Sequence, residues 1–487
     1  MNRRVWSLVS LLLTGCLGAG SINVGDDKDT PDGGDADTDT DSDTDTDTDT
    51  DTDTDTDTDT DTPGDELFNA LAWRLHEDYE SLAYVSWNQS AAATVHVEYS
   101  FDEGVWLSSP AFAAVAGANE QLLVGIPYET VAAWRLVSDS GVSIDGEPLT
   151  TADVPRNFPL PEVELGDSTK WIAGGNYLLT SINSSAGGWT GGTYYAFIVD
   201  RQGRLVWAHR TPEQDWTLYA QVALSGDHIL WDEATYWNDW DDGAGSTVVR
   251  GYLDAEIETI ATPGLHHAWV QLPGDTLVWG SQDHGGYEAL VELGPTDSEP
   301  RILWTCRDDW PGTDSDCESN GIFFSPERDS FLYSFYTNNS LVEVDHATGE
   351  SLWWAGDVPN GYSFLPSESQ FSWQHGVSWT DAGTLLVSTY YEGGSSRGTT
   401  AAVEYDVDRD AGTLTPVWAF DPGVHANTNG DAWRLDNGNT LHVVGSSGHL
   451  YEVDPEGEVL WHLDFHGDHL LGRGEFIEDL YALVSPR

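Results

Sequence analysis

The chain has 487 residues, more than one compact domain usually needs, with 83 Asp and Glu against 19 Lys and Arg and a formal charge of −64. That balance excludes most nucleic-acid binders, because phosphate contact needs a basic stripe. Three Cys are too few for a disulfide framework, no apolar run has the length of a membrane-spanning helix, and 23 Trp with 50 Gly lean towards β structure.

Arg3 and Arg4 precede an apolar stretch, Val5 to Leu13, that ends in Leu13-Thr14-Gly15-Cys16. A short positive region followed by a short apolar one reads as a secretion signal. Leu-x-Gly-Cys resembles the bacterial lipobox, which implies a signal over 1–16 and acylation of Cys16. Leu17 stands where inner-membrane retention signals carry Asp, so the resemblance implies a lipoprotein of the outer membrane, facing periplasm or cell surface, with no other membrane contact. Residues 17–65 read as a linker. Within it, residues 26–65 hold 19 Asp and one Lys, with unbroken Asp-Thr alternation from Asp43 to Thr62. Like charges repel and nothing apolar can be buried, so the segment is expected to stay extended as a stalk. Asp-rich tracts can bind calcium, but this one lacks the Gly and apolar positions of folded calcium loops. The chain outside this segment still carries −46, a surface that keeps a protein soluble in salt.

Residues 66–152 read as a small all-β domain. Val95, Val97 and Tyr99 alternate with His96 and Glu98, the period of a half-buried strand. Leu82 to Trp87 and Val131 to Leu136 are further apolar runs, and with Gly125-Ile126-Pro127-Tyr128 the segment resembles a fibronectin type III module. No catalytic constellation occurs here; His76 and His96 are expected at the surface.

Residues 170–487 contain an internal repeat. A turn followed by an apolar strand recurs, as in Gly174 to Leu179, Pro273 to Val278 and Asn437 to His442. With Tyr177, His228, Thr276, Ser330, Thr384 and Thr440 as equivalents, the intervals are 51, 48, 54, 54 and 56 residues. Six such units predict a six-bladed β-propeller in an all-β chain. Five units end on Trp207, Trp304, Trp353, Trp418 and Trp461, expected to pack blade against blade. The segment Gly474 to Tyr481 is placed to close the ring with one more strand.

Innermost strands line a propeller's axis, so equivalent positions converge there. Nine residues before the markers stand Tyr219, His267, Gly321, His375 and Asp431. Two His and one Asp on one ring are candidates for chemistry.

These segments resemble the bacterial arylsulfotransferases (arylsulfate sulfotransferases), six-bladed propellers with a recurrent Gln-His-x-x-x-x-Leu-Pro-Asn-Gly-Asn-Thr-Leu type motif. The matching stretches are Trp373-Gln374-His375-Gly376 with Gly383-Thr384-Leu385, His266 to Leu277, and Gly430 to Leu441. The resemblance spans the repeat region. It implies sulfuryl transfer from a phenolic sulfate donor to a phenol acceptor, through a sulfated histidine and without a nucleotide or other cofactor. It also implies His375 as nucleophile, His267 as acid/base or oxygen-binding group, and Asn320, Tyr336, Asp431, Trp373 and Arg397 at the substrate. Trp373, Trp269 and Trp379 are candidates for aromatic walls, with at least one expected in the core.

Two departures stand out. The family's His-x-Asn-Ser-Ile segment matches Glu318-Ser319-Asn320-Gly321-Ile322, so Glu318 replaces a histidine. Its Ser-x-Arg segment matches Ser334-Phe335-Tyr336, so Tyr336 replaces an arginine. A carboxylate about 4 Å from a sulfate ester costs roughly 4 kcal/mol at an effective dielectric constant of 20. Arg397 is the candidate compensator. The alternative is therefore a non-catalytic propeller that binds a ligand or an envelope protein, and a third reading is a plain scaffold on the stalk.

Cys306 and Cys317 are expected to form a disulfide outside the cytoplasm, contributing on the order of 3 kcal/mol. A zinc site would need more sulfur and nitrogen ligands. Asn238 to Gly243 and Asp406 to Gly412 resemble loose calcium loops without the full ligand ladder.

Overall fold

The computed structural model describes residues 67–187, 191–235, 245–282, 288–310, 317–391 and 398–486. Cys16, the Asp-Thr tract, the segment Asn238 to Gly243 and Arg397 lie outside the described residues. Within them the regular structure is almost entirely β, and helices are single turns of three or four residues.

Residues 68–150 form two sheets over one core. Phe68–Leu75, Ala83–Gln89 and Gly117–Leu123 make the first; Ala93–Asp102 and Val131–Ser138 are the long strands of the second. The alternation read from the sequence places Val95, Val97 and Tyr99 in the core with Val85, Trp87, Ile126, Trp134 and Leu136, while His96 and Glu98 stay half-exposed. Each large apolar side chain buried there contributes roughly 1.5–3 kcal/mol. A second face of this unit, Tyr79, Leu82, Leu122 and Val124, packs against Leu179, Trp207 and Trp231 of the region that follows.

Among the described residues from 162 on, the strands fall into six sheets built in chain order, each on a frame of four antiparallel strands, with the short Ser363–Phe364 added in parallel at the edge of one. In one of them, Leu265–Leu272, Thr276–Ser281, Ala289–Leu293 and Arg301–Thr305 lie side by side. Every repeat marker stands at, or immediately before, the start of a sheet's second strand, after the tight turn the repeat predicted. First strands of successive sheets touch: Leu265–Leu272 packs on Ser319–Ser325, that strand on His375–Trp379, and that one on Asp431–Arg434. Sequential antiparallel sheets joined through their first strands make a β-propeller.

Both ends of the repeat region are tied in. Glu475–Ile477 pairs with Tyr177–Asn183 and becomes the inner strand of the first sheet. Glu162–Leu165 pairs with Val459–Asp464 at the outer edge of the last. Arg201 locks this junction: it donates to Glu452 at 2.6 Å and lies over the ring of Phe476 at 3.9 Å.

Trp207, Trp304, Trp353 and Trp461 are buried, as their place in the repeat predicted, and Trp418 is half-exposed. Several bridge neighbouring sheets through the indole N–H. Trp207 donates to the Leu253 carbonyl at 2.9 Å, Trp304 to Ser351 Oγ at 2.9 Å, and Trp461 to the Arg201 carbonyl at 2.8 Å. Cys306 and Cys317 are joined as a disulfide.

Candidate functional site

The inner strands carry chemistry-bearing residues at their N-terminal ends. Ser319 and His375 are the first residues of their strands and Asp431 of its own; His267 is the third residue of Leu265–Leu272. Gly376 shows how closely these strands approach. It has φ +59°, and a Cβ there would collide with Asp431.

His375 is buried, 5% exposed. Its Nδ1 lies 3.1 Å from the Trp373 carbonyl, which can only accept, so Nδ1 carries the proton and Nε2 the lone pair. Thr428 Oγ1 lies 3.5 Å from Nε2. Burial pushes the His375 pKa down to about 4, against an upward pull from the Trp373 carbonyl. At neutral pH the ring is a neutral imidazole.

His267 is equally buried, and burial, the neighbouring His266 and then His375 push its pKa well below the ordinary value. Between the two imidazoles stands Tyr336. Its ring centroid is 5.9 Å from that of His267 and 6.3 Å from that of His375, nearly parallel to the latter. Two residues 108 apart in sequence thus meet at one phenol, as the matched positions predicted.

Glu318 turns towards this group, because the Tyr336 hydroxyl donates to its carboxylate. Asn320 is buried and donates from Nδ2 to the Gln374 carbonyl at 2.6 Å, while its Oδ1 has no hydrogen-bond partner among the described residues. Tyr219, also on the matched ring, donates to the Asn320 carbonyl at 3.4 Å. Trp373 is an exposed rim residue, 45% accessible, held at φ +50° with its N–H on Asn339 Oδ1. A bulky side chain rarely adopts that conformation. Its ring continues the aromatic run from Tyr336, 5.9 Å away, to Tyr390, 6.3 Å away. Of the other candidate walls, Trp269 belongs to the core and Trp379 packs under Arg328.

Asp431 faces the hub from the last sheet. Burial raises its pKa, and Arg473 pulls it back; Arg473 Nε lies 3.5 Å away and its guanidinium covers Trp433 at 3.6 Å. Arg473 comes from the connection before the closing strand, which has no counterpart in the other units, so counting along the repeat missed it. Two more residues escaped the sequence reading. His266 Nδ1 is 2.7 Å from His267 Nδ1, and His266 Nε2 is 2.9 Å from Glu288 Oε2. The His266-His267 doublet was the available signal; Glu288 lies 22 residues further on in another strand's approach.

On the acidic turn of residues 406–412, Asp408 Oδ1 accepts from the backbone of Asp410 and Ala411. No group of three or more His, Cys, Asp or Glu able to hold a metal ion occurs among the described residues.

No family model and no curated protein matches the chain. Similar solved structures include a protein of unknown function from Bacteroides caccae, 14% identical, covering 61% of this chain and 97% of its own, with a TM-score of 0.41. A periplasmic gluconolactonase from Pseudomonas aeruginosa is 15% identical, covering 80% of this chain and 99% of its own, at 0.39. The β-propeller domain of Cps50 from Myceliophteria thermophila is 13% identical, covering 66% and 87%, at 0.36. The propeller assignment rests on the strand order and inner-strand contacts described above.

Proposed function

We propose that the hub is a group-transfer site of arylsulfotransferase type, on a six-bladed propeller preceded by a fibronectin type III-like sandwich. The observation that carries this reading is His375: a buried, neutral imidazole whose Nδ1–H is fixed by a carbonyl and whose Nε2 keeps its lone pair. In the first half-reaction Nε2 attacks sulfur of a phenyl sulfate. The N–S bond forms, the bond from sulfur to the aryl oxygen breaks, and phenolate leaves with the electron pair. In the second, an acceptor phenol gives its proton to His267 Nε2 as its oxygen attacks sulfur, and His375 departs neutral. The proton on His267 then returns to the first phenolate. Positioned proton transfer of this kind contributes roughly 10²–10⁴-fold. Tyr336 and Trp373 supply the aromatic surface for the phenol rings.

Mixing the protein with nitrophenyl sulfate and a phenol acceptor should release nitrophenol and leave a sulfated His375 detectable by mass spectrometry. His375→Ala should abolish both. An unmodified His375 with no nitrophenol released would remove the reading.

A second reading is favoured by the Glu318–Tyr336 pair and by Asn320 Oδ1, which has no hydrogen-bond partner among the described residues. The sulfuryl group brings only acceptor oxygens, whereas these residues offer acceptors. They suit a donor-bearing or cationic ligand held against Tyr336 and Trp373 without turnover. Calorimetric titration with benzyltrimethylammonium separates the two: binding retained in His375→Ala and lost in Glu318→Gln supports the binding module. An outer-membrane lipid anchor on Cys16 is likewise a proposal, tested by fatty-acid labelling of wild type against Cys16→Ala.

A further inference from the structure

Buried titratable groups outside the set chosen from the sequence converge on one side of His267. Glu288 has a fully buried carboxylate in a polar cradle. Oε1 accepts from Ser319 Oγ at 2.6 Å and from the Tyr333 hydroxyl; Oε2 accepts from Gln282 Nε2 at 2.5 Å and meets His266 Nε2 at 2.9 Å. Gly280 leaves the room: a Cβ there would lie 2.5 Å from Glu288 Oε1 and 2.4 Å from Ser319 Oγ. Burial raises the Glu288 pKa, but His266, Ser319 and Tyr333 together outweigh it and hold the group below the ordinary range. An ionised carboxylate has no proton to give, so each of its four partners must donate.

We propose that Glu288 and His266 are positioning residues that set the tautomer of His267, in the order carboxylate, imidazole, imidazole. Glu288 takes the Nε2–H of His266. With that as its one ring proton, His266 offers Nδ1 as an acceptor, and takes the Nδ1–H of His267 across 2.7 Å. The Nε2 of His267 carries the lone pair. A buried carboxylate that fixes which nitrogen of the next ring is basic is a known way to orient an imidazole. Here the effect passes through one more ring. The consequence is that both hub histidines are Nδ1–H tautomers: His375 through the Trp373 carbonyl, His267 through the relay.

This inference rests on the hub reading only for its use in transfer; the tautomer itself is independent of turnover. The test uses the full chain with ¹⁵N-labelled histidine, resonances assigned by His266→Gln and His267→Gln. In wild type at pH 7, the His267 Nδ1 signal should be pyrrole-type and its Nε2 pyridine-type. His266 should show the reverse. Glu288→Gln keeps the shape but removes the charge, and with it the preference for a proton on His266 Nε2. His266 and His267 should then each populate both tautomers. Where transfer activity is present, this variant should lose roughly 10²-fold in kcat. A wild-type His267 found as the Nε2–H tautomer, or a His266 found as imidazolium, overturns the proposal. That wild-type spectrum decides even if Glu288→Gln does not fold. Correct tautomers with no turnover would sink the transfer reading and leave the relay standing.

Discussion

The two sides of the hub handle buried charge in opposite ways. On the side of His267 and His375, the ionisable rings are kept neutral by burial and by defined hydrogen-bond partners. On the side of the last sheet, Asp431 is balanced by Arg473. A neutral ring is available as nucleophile or base at neutral pH. An ion pair holds two strands in place but has its charge already committed. The first side is therefore built for reaction with, or reception of, a ligand, and the second for holding the closing segment.

The sharpest way to break this contrast is to remove the cation. Arg473→Ala should cost about 3 kcal/mol at pH 7, the usual price of orphaning one partner of a buried pair. Asp431 already has a raised pKa, so the variant can shed the charge by protonation. A raised carboxyl pKa favours the folded state at low pH and loses that advantage as pH rises through it. The deficit should accordingly be smaller at pH 5 than at pH 7 in urea denaturation. Equal deficits would mean that Asp431 is not the group responsible.

The neutral side predicts the opposite trend. His375 is pushed down to about 4, and in the last sheet, where Thr440–Val443 faces the His375 sheet through Ser388, burial likewise takes His442, whose Nε2 is 3.2 Å from Ser388 Oγ, to about 3. An unfolded histidine takes up its proton near pH 6.5, before either of these does. The unfolded state then binds more protons, so stability is full above about pH 6.5 and falls as pH drops towards 4. Each ring contributes about 3 kcal/mol to that loss. His442→Leu should make the acid limb of the stability curve shallower by about one proton. An unchanged slope would show that His442 is charged or accessible in the fold.

A smaller effect tests the edge of the neutral side. Tyr336→Phe removes the hydroxyl that binds Glu318, a half-exposed carboxylate that water can rehydrate. Stability should change by no more than about 1 kcal/mol. Were Glu318 the barrier to a sulfate ester, Glu318→Gln should instead tighten nitrophenyl sulfate binding, read by calorimetry.

The repeat made much of this legible beforehand. A tight turn followed by an apolar strand recurs because each sheet needs the same inner hairpin, so the markers fell at the starts of second strands and a fixed backward count found His267, His375 and Asp431. What that count could not find is held by contacts across sheets. Glu288 reaches His266 within one sheet and Ser319 in the next, and Arg473 belongs to the connection that only the closing segment has. Trp373 was legible as an aromatic beside His375, but its exposed, left-handed setting depends on Asn339 in the neighbouring unit.

The closing strand also sets a schedule for the newborn chain. Tyr177–Asn183 leaves the ribosome roughly 300 residues ahead of Glu475–Ile477, the segment that covers its inner edge. At ordinary translation speeds that leaves a bare β-edge for roughly 15–60 seconds. Such an edge is a template for wrong pairing until the clasp arrives.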